Sequence, residues 1–279
     1  MAVAMATMSL HADDLADTTT TELRPVAAMF TLDVGAAEVL DTYLTPITYD
    51  GVDLRLGFSA MRAIGSTPQR RSWQLDFGID YDNVENPAGN HTMHAIMLQA
   101  RWAMMWRLRN VAGTPLDLHV GPMAQLQGGA IYNSIGSNNV ASVKAHAAIG
   151  ATAMATYGTR LWNRHITLSD QLSLPLVGCF YSPDYDESYY EIYVGHTDGL
   201  VNFGWWGNRF DLTNLLAADF HFGGTTLRLG YRLGIQRSWV NNLNTHVTTH
   251  SIVLGVGGEF FTRSNKRESI NATVVSSMY

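Results

Sequence analysis

The sequence predicts an all-β protein, an antiparallel up-and-down transmembrane β-barrel of ten strands. Three observations carry that expectation. Apolar and polar residues alternate with a period of two over long stretches, charged residues are scarce, and no run of 18 or more apolar residues occurs. A period of two separates the two faces of a strand and scrambles those of a helix. Charged residues make up 15 % of the chain, against roughly 25 % in an average soluble domain. Without a long apolar run there is no transmembrane helix. Strands of soluble sandwiches run to about 5–6 residues, whereas several segments here alternate for longer, as outer-membrane strands do when they turn one face to lipid and the other to the lumen. Closing the sheet also pairs every backbone N–H and C=O, which lipid cannot do. A soluble barrel would need apolar residues inside, and the inward sets read here are too charged for that.

The elements follow in order. Residues 1–12 are small and apolar and read as the remnant of a secretory signal peptide; 13–25 read as a flexible, Thr- and acid-rich leader. Strands are expected at 26–34, 49–62, 70–83, 92–108, 115–129, 141–158, 166–180, 211–222, 225–237 and 247–261. The clearest is 73–82, which puts Trp73, Leu75, Phe77, Ile79 and Tyr81 on one face and Gln74, Asp76, Gly78, Asp80 and Asp82 on the other. By the same parity Arg55, Arg101, Arg107, Lys144, Arg228 and Arg232 point inward, with Asp53, Asp76, Asp80 and Asp117 as partners for them. Ten is an even number, as bacterial single-chain barrels require. Short connections (63–69, 109–114, 159–165 and Gly223-Gly224) fall on one side, the periplasmic one. Longer segments (35–48, 84–91, 130–140, 181–210 and 238–246) fall on the other. A membrane-spanning hairpin within 181–210 would raise the count to twelve. Trp73, Tyr81, Trp102, Trp106, Tyr157, Trp162, Tyr231 and Trp239 suit an aromatic girdle at headgroup depth. One barrel domain therefore covers 26–261, with a C-terminal tail over 262–279.

Composition narrows the function. A net charge of −6 leaves no basic footprint for nucleic acid, and a lone cysteine, Cys179, supports neither a disulfide framework nor a multi-cysteine metal site. Residues 39–51 (VLDTYLTPITYDG), 132–139 (YNSIGSNN), 175–191 (PLVGCFYSPDYDESYYE) and 227–246 (LRLGYRLGIQRSWVNNLNTH) resemble the motifs of domain-of-unknown-function family 3316. The resemblance spans roughly 26–261. It implies a β-barrel in the outer membrane of a Gram-negative bacterium, and it brings no activity, catalytic residue or ligand.

These segments concentrate polar and aromatic residues at the expected outer rim, where loops on a rigid scaffold carry binding and chemistry. Asp41, Tyr43, Asn133, Asn138, Asn139, Tyr185, Tyr189 and Tyr190 are the candidate ligand-binding set, suited to a glycan or a lipid headgroup. The same residues also suit loop packing, through Asx-turns and fixed proline geometry. A hydrolase needs a nucleophile, a base and an orienting acid within hydrogen-bond reach; Ser188 with His94 or His246 and Glu191 or Asp41 are the candidates, and no G-x-S-x-G elbow accompanies them. No metal site is expected: His91 and His94 face opposite sides of one strand, and His246 and His250 lie about 13 Å apart along theirs. No cofactor is expected. The reading is a non-enzymatic scaffold or accessory barrel that binds an envelope protein partner, outer-membrane lipid or glycan at its rim. An acyl hydrolase of lipid or lipopolysaccharide, and a narrow channel, are the alternatives.

Overall fold

Strand pairing runs round a full circle in the computed structural model, which describes residues 22–64, 71–133, 139–161, 164–260, 273, 274 and 276. After a two-residue strand β1 (Glu22–Leu23), the wall is built by β2 (Val26–Asp41), β3 (Thr45–Ala63), β4 (Arg71–Glu85), β5 (Thr92–Leu108), β6 (Leu116–Asn133), β7 (Ala141–Leu161), β8 (Arg164–Tyr181), β10 (Arg209–Phe222), β11 (Thr225–Val240) and β12 (Leu243–Phe260). Each is antiparallel to its neighbours. The last closes on the first through Leu254 opposite Leu32, and β8 meets β10 through Ala218 opposite Leu168. This is the ten-stranded antiparallel barrel that the alternation predicts.

Parity sorts the side chains as expected. Phe30, Leu56, Ile79, Leu98, Leu126, Ile149, Leu229 and Leu254 are large, apolar and exposed on the outer wall. A soluble protein rarely exposes a contiguous apolar surface of that extent, and a hydrocarbon solvent explains it. Arg55, Arg101, Arg228, Asp53 and Asp82 are buried in the lumen, joined by Asp33, Asp211, Asp219 and the rim candidate Asp41, none of which is among the inward charges named from parity.

Two expected loops are corrected. Segments 35–48 and 238–246 are mostly strand: β2 and β3 meet at a tight turn over 42–44, and β11 and β12 at Asn241-Asn242. Both asparagines are left-handed, at φ 52° and 57°, as a two-residue hairpin turn with right-handed strand twist requires. A tilted strand needs only about 9–11 residues to span the hydrocarbon, and these run to 16–19. The apolar alternation therefore fades at Gly35, Ala36 and Glu38 while the hydrogen-bond ladder continues. At the opposite end the connections at 109–114 and at Gly223-Gly224 are short, with Gly223 at φ 65°; those expected at 63–69 and 159–165 lie partly outside the described residues.

The 182–208 segment is the one long connection among the described residues. It holds a single turn of helix, α1 (Tyr189–Tyr193), and a five-residue strand β9 (Val201–Trp205) that pairs with the upper end of β8. No further membrane-spanning hairpin forms there, so the count stays at ten. Part of the leader and part of the tail are also ordered: β1 pairs in parallel with β13 (Thr273–Val274). The signal-peptide reading of 1–12 lies outside the described residues.

The lumen is filled in layers. Near the end that carries the Gly223-Gly224 turn, Met61, Ala103, Met105, Met123 and Met154 form an apolar layer. Ion pairs follow. Arg228 forks onto Asp219 at 2.7 and 2.8 Å, Arg101 reaches Asp76 at 3.3 Å, and Arg55 meets Asp80 at 2.6 Å. Arg232 donates to Asp33 at 2.6 Å. Toward the outer end Ala37, Val39, Tyr49, Val84, Met93 and Ile131 form a second apolar layer. Side-chain chords cross between distant strands: Gln74 with Gln171 at 2.9–3.1 Å, and Gln127 with Gln236 at 3.0 Å. Separate cavities of about 40, 50 and 30 Å³ remain between the layers.

Candidate functional site

The outer rim brings part of the predicted set together. Asp41 ends β2 with no solvent exposure. Its Oδ2 forms an ion pair with Lys144 Nζ at 2.9 Å, across the full width of the barrel; its Oδ1 accepts from the Tyr43 backbone N–H at 3.2 Å and the Thr245 hydroxyl at 3.4 Å. Lys144 also donates to Thr245 Oγ1 at 3.1 Å. A carboxylate so buried needs a charged partner, and the lysine on β7 supplies it. Lys144 was read from parity as an inward charge; its meeting with Asp41 depends on barrel closure.

Tyr43 and Tyr189 hold the long loop over this pair. The Tyr43 hydroxyl donates to the Glu187 carbonyl at 2.8 Å, and its ring meets Tyr189 edge to face at 5.8 Å. The Tyr189 hydroxyl accepts from the Val143 backbone N–H at 2.7 Å. That N–H lies where β7 has outrun β8, whose pairing with β7 stops at Phe180, so the tyrosine satisfies a strand edge. Burial, with Tyr181 and Asp41 nearby, pushes the Tyr189 phenol up to about 12. Burial beside Tyr189 drives Tyr43 up as well. The base of the loop is tied from below: Asn241 donates to the Ser182 and Gly199 carbonyls at 3.0 and 3.2 Å, and Asn202 to the Gly199 carbonyl at 2.8 Å. The tethering role of Asn241 was missed, although an Asn-Asn pair between alternating runs does signal the turn that positions it.

The other candidates scatter. Asn133 is buried at the end of β6, and its backbone N–H donates to the Val140 carbonyl at 2.8 Å. Asn139 lies in the same hairpin with a buried side-chain oxygen, and Asn138 lies outside the described residues. Tyr185 and Tyr190 are exposed on the loop, as is Tyr193.

The hydrolase candidates separate. Ser188 is the N-cap of α1: its hydroxyl accepts from the Glu191 N–H at 3.4 Å and donates to Glu191 Oε2 at 2.8 Å, while Glu191 accepts from the Ser188 N–H at 2.7 Å. This capping box occupies both side chains, and the Ser188 N–H and hydroxyl hold the Glu191 carboxyl below the usual range. His94 is on the outward face of β5, stacked on Tyr81 and 3.1 Å from its hydroxyl. His246 shares the outward face of β12 with His250, which sits 2.5 Å from the Tyr231 hydroxyl. Asp41 is held by Lys144. Two tyrosine–histidine pairs, Tyr81–His94 and Tyr231–His250, therefore decorate the outer wall, and the candidate bases His94 and His246 both lie on that outward face, away from the capping box. Among the described residues no group of three or more His, Cys, Asp or Glu is placed to hold a metal ion.

Fold and lumen together define an integral membrane β-barrel with a side-chain-filled interior and a tethered loop over its outer mouth. The chain belongs to the family described as Protein of unknown function (DUF3316), whose model matches residues 2–267. Among solved structures it is similar to Neisserial surface protein A, with 14 % identity over 84 % of this chain and 97 % of that one and a TM-score of 0.34. It is also similar to the outer membrane protease OmpT from Escherichia coli, with 7 % identity over 85 % and 96 % and a TM-score of 0.43. The translocator domain of the autotransporter NalP from Neisseria meningitidis aligns with 12 % identity over 88 % and 90 % and a TM-score of 0.41. No curated protein matches the chain.

Proposed function

We propose that the protein is an integral barrel of a Gram-negative outer membrane and acts there as a non-enzymatic scaffold or accessory barrel, engaging an envelope partner at its outer rim. One observation carries this reading. The 182–208 loop is fastened at its base by Asn241 and Asn202 and at its crown by Tyr43 and Tyr189, while Tyr185, Tyr190 and Tyr193 project from it, exposed. Exposed aromatic rings on a fixed loop offer large contact area at small conformational cost, which is what a recognition surface needs. The charge-crossed, methionine-layered lumen below suits a rigid support better than a conduit. Outer-membrane lipid or glycan is the other class of ligand this rim suits, through the same tyrosines.

The test is affinity purification of the full chain from gently solubilised membranes, alongside a Tyr190→Ser/Tyr193→Ser variant. A protein that co-purifies with the parent and is lost from the variant is the expected result. If the barrel comes out alone in both, the partner reading fails. A lipid or glycan carried by the parent and lost from the variant would move the reading to that ligand.

A further inference from the structure

The outer wall is not uniformly convex. Round the barrel, Phe77, Ala100, Leu126, Ala147, Cys179 and Phe203 stand side by side on six successive strands. In the next row toward the rim, Ile79 and Leu98 form one bank, Tyr181 and Val201 the other, and Gly128 and Ala145 lie between. Side chains are bulky at both ends of these rows and small in the middle, apart from Leu126. All of these residues but Phe203 line an open trough of about 860 Å³ on the lipid-facing side.

Two irregularities build the bank on the β8–β9 side. The β7–β8 register slips between Ile149 and Gly150, leaving Leu176 as an extra residue, and such bulges re-aim a strand. Opposite it, Trp206–Asn208 are inserted between β9 and β10, with Trp206 Nε1 donating to the Pro175 carbonyl at 3.4 Å. The insertion lets β9 add Val201, Phe203 and Trp205, all exposed, to the wall beside the trough.

We infer that this trough seats one acyl chain of an outer-leaflet lipid. Its position in the apolar belt selects hydrocarbon: lipid chains already surround it, and it continues the surface by which the barrel meets them. Its shape selects a single chain. In a membrane, apolar burial gives no preference between lipid and protein, so association follows packing. A second barrel would present a convex wall that meets the banks and leaves the floor of Gly128, Ala145 and Ala147 empty. A flexible chain reaches that floor.

The inference rests on the membrane placement above and not on rim binding. The full chain is reconstituted into phosphatidylethanolamine–phosphatidylglycerol vesicles containing a phosphatidylcholine with a diazirine midway along one acyl chain. After irradiation, adducts are mapped by peptide mass spectrometry. Residues 126–128, 145–147 and 179–181 are expected to carry several-fold more label than the lipid-facing residues of β11 and β12. Ala145→Phe, which fills the trough, removes that excess and leaves the β11 and β12 label unchanged; Ala147→Leu does the same if the first variant folds poorly. Even labelling, an excess that survives both substitutions, or a barrel-to-barrel crosslink at β6–β7 overturns the inference alone. A chain that fails to insert, read as loss of a protease-protected core, overturns the membrane placement with it.

Discussion

At the scale of single residues, the lumen is a set of tight electrostatic and steric fits. Arg55 lies directly over Gly78, where a Cβ would overlap its guanidinium. Gly78→Val should displace Arg55 from Asp80 and cost about 1–3 kcal/mol, read as a lower urea midpoint in vesicles with an unchanged slope. Asp41 and Lys144 form a second fit. Asp41→Leu strands the lysine and should cost about 3 kcal/mol, while adding Lys144→Met should recover most of the loss, because removing one partner of a buried pair is worse than removing both. A double variant as unstable as the single one would show that the pair does more than neutralise itself. Asp53 and Asp82 are the exception: they stand opposite each other as buried cross-strand partners, with the Ser251 hydroxyl donating to Asp53. Parity marks both as inward-facing, but which strands meet at that level follows from register.

At the scale of elements, the loop over the mouth is held by phenols that must stay neutral. Below about pH 10, where an exposed tyrosine keeps its proton, their contribution is complete. Tyr189 titrates near 12 in place, so between those values the released loop loses a proton that the docked loop keeps, and docking weakens as pH rises. Protease cleavage within 182–208 should therefore increase across that window, while the strands stay protected. Tyr43→Phe, which removes one hydrogen bond worth about 1 kcal/mol, should lower the onset of cleavage. The elements were legible wherever side chains alternate in polarity: 73–82, 92–108 and 225–237 are strand throughout. They were illegible where strands leave the hydrocarbon, as at 35–41 and 238–240, because backbone pairing there continues without an apolar face to announce it. Part of the rim site was hidden for that reason: Asp41 is a strand terminus, not a loop residue.

At the scale of the whole molecule, the barrel is a closed wall around a filled interior. Planar-bilayer recordings should show no discrete conductance steps, since chords such as Gln127–Gln236 and the layer of Met61, Met105, Met123 and Met154 obstruct the lumen. Steps of uniform size would mean that these layers open. The outer face sets a different limit. Leu56 is 60 % exposed to the surroundings of the central wall, and Leu56→Arg there should cost roughly 2–4 kcal/mol if those surroundings are hydrocarbon; in a soluble setting the same change would be near neutral. Urea titration in vesicles distinguishes the two.

The sequence alone determined the class of fold and the face of each charge within an alternating strand, because a period of two assigns those side chains to lipid or lumen without reference to any other strand; ten strands over twelve was settled by the 182–208 connection, whose short β9 pairs with β8 and adds no membrane-spanning hairpin. The sequence also accounted for its own charge deficit, since half of each wall strand meets hydrocarbon. Only the tertiary structure decided which inward charges meet, that the Ser188–Glu191 pair caps a helix while His94 faces outward, and that small residues on β5 to β8 form one trough. Those are properties of register and closure, which bring together residues a hundred positions apart, and local alternation carries no information about them.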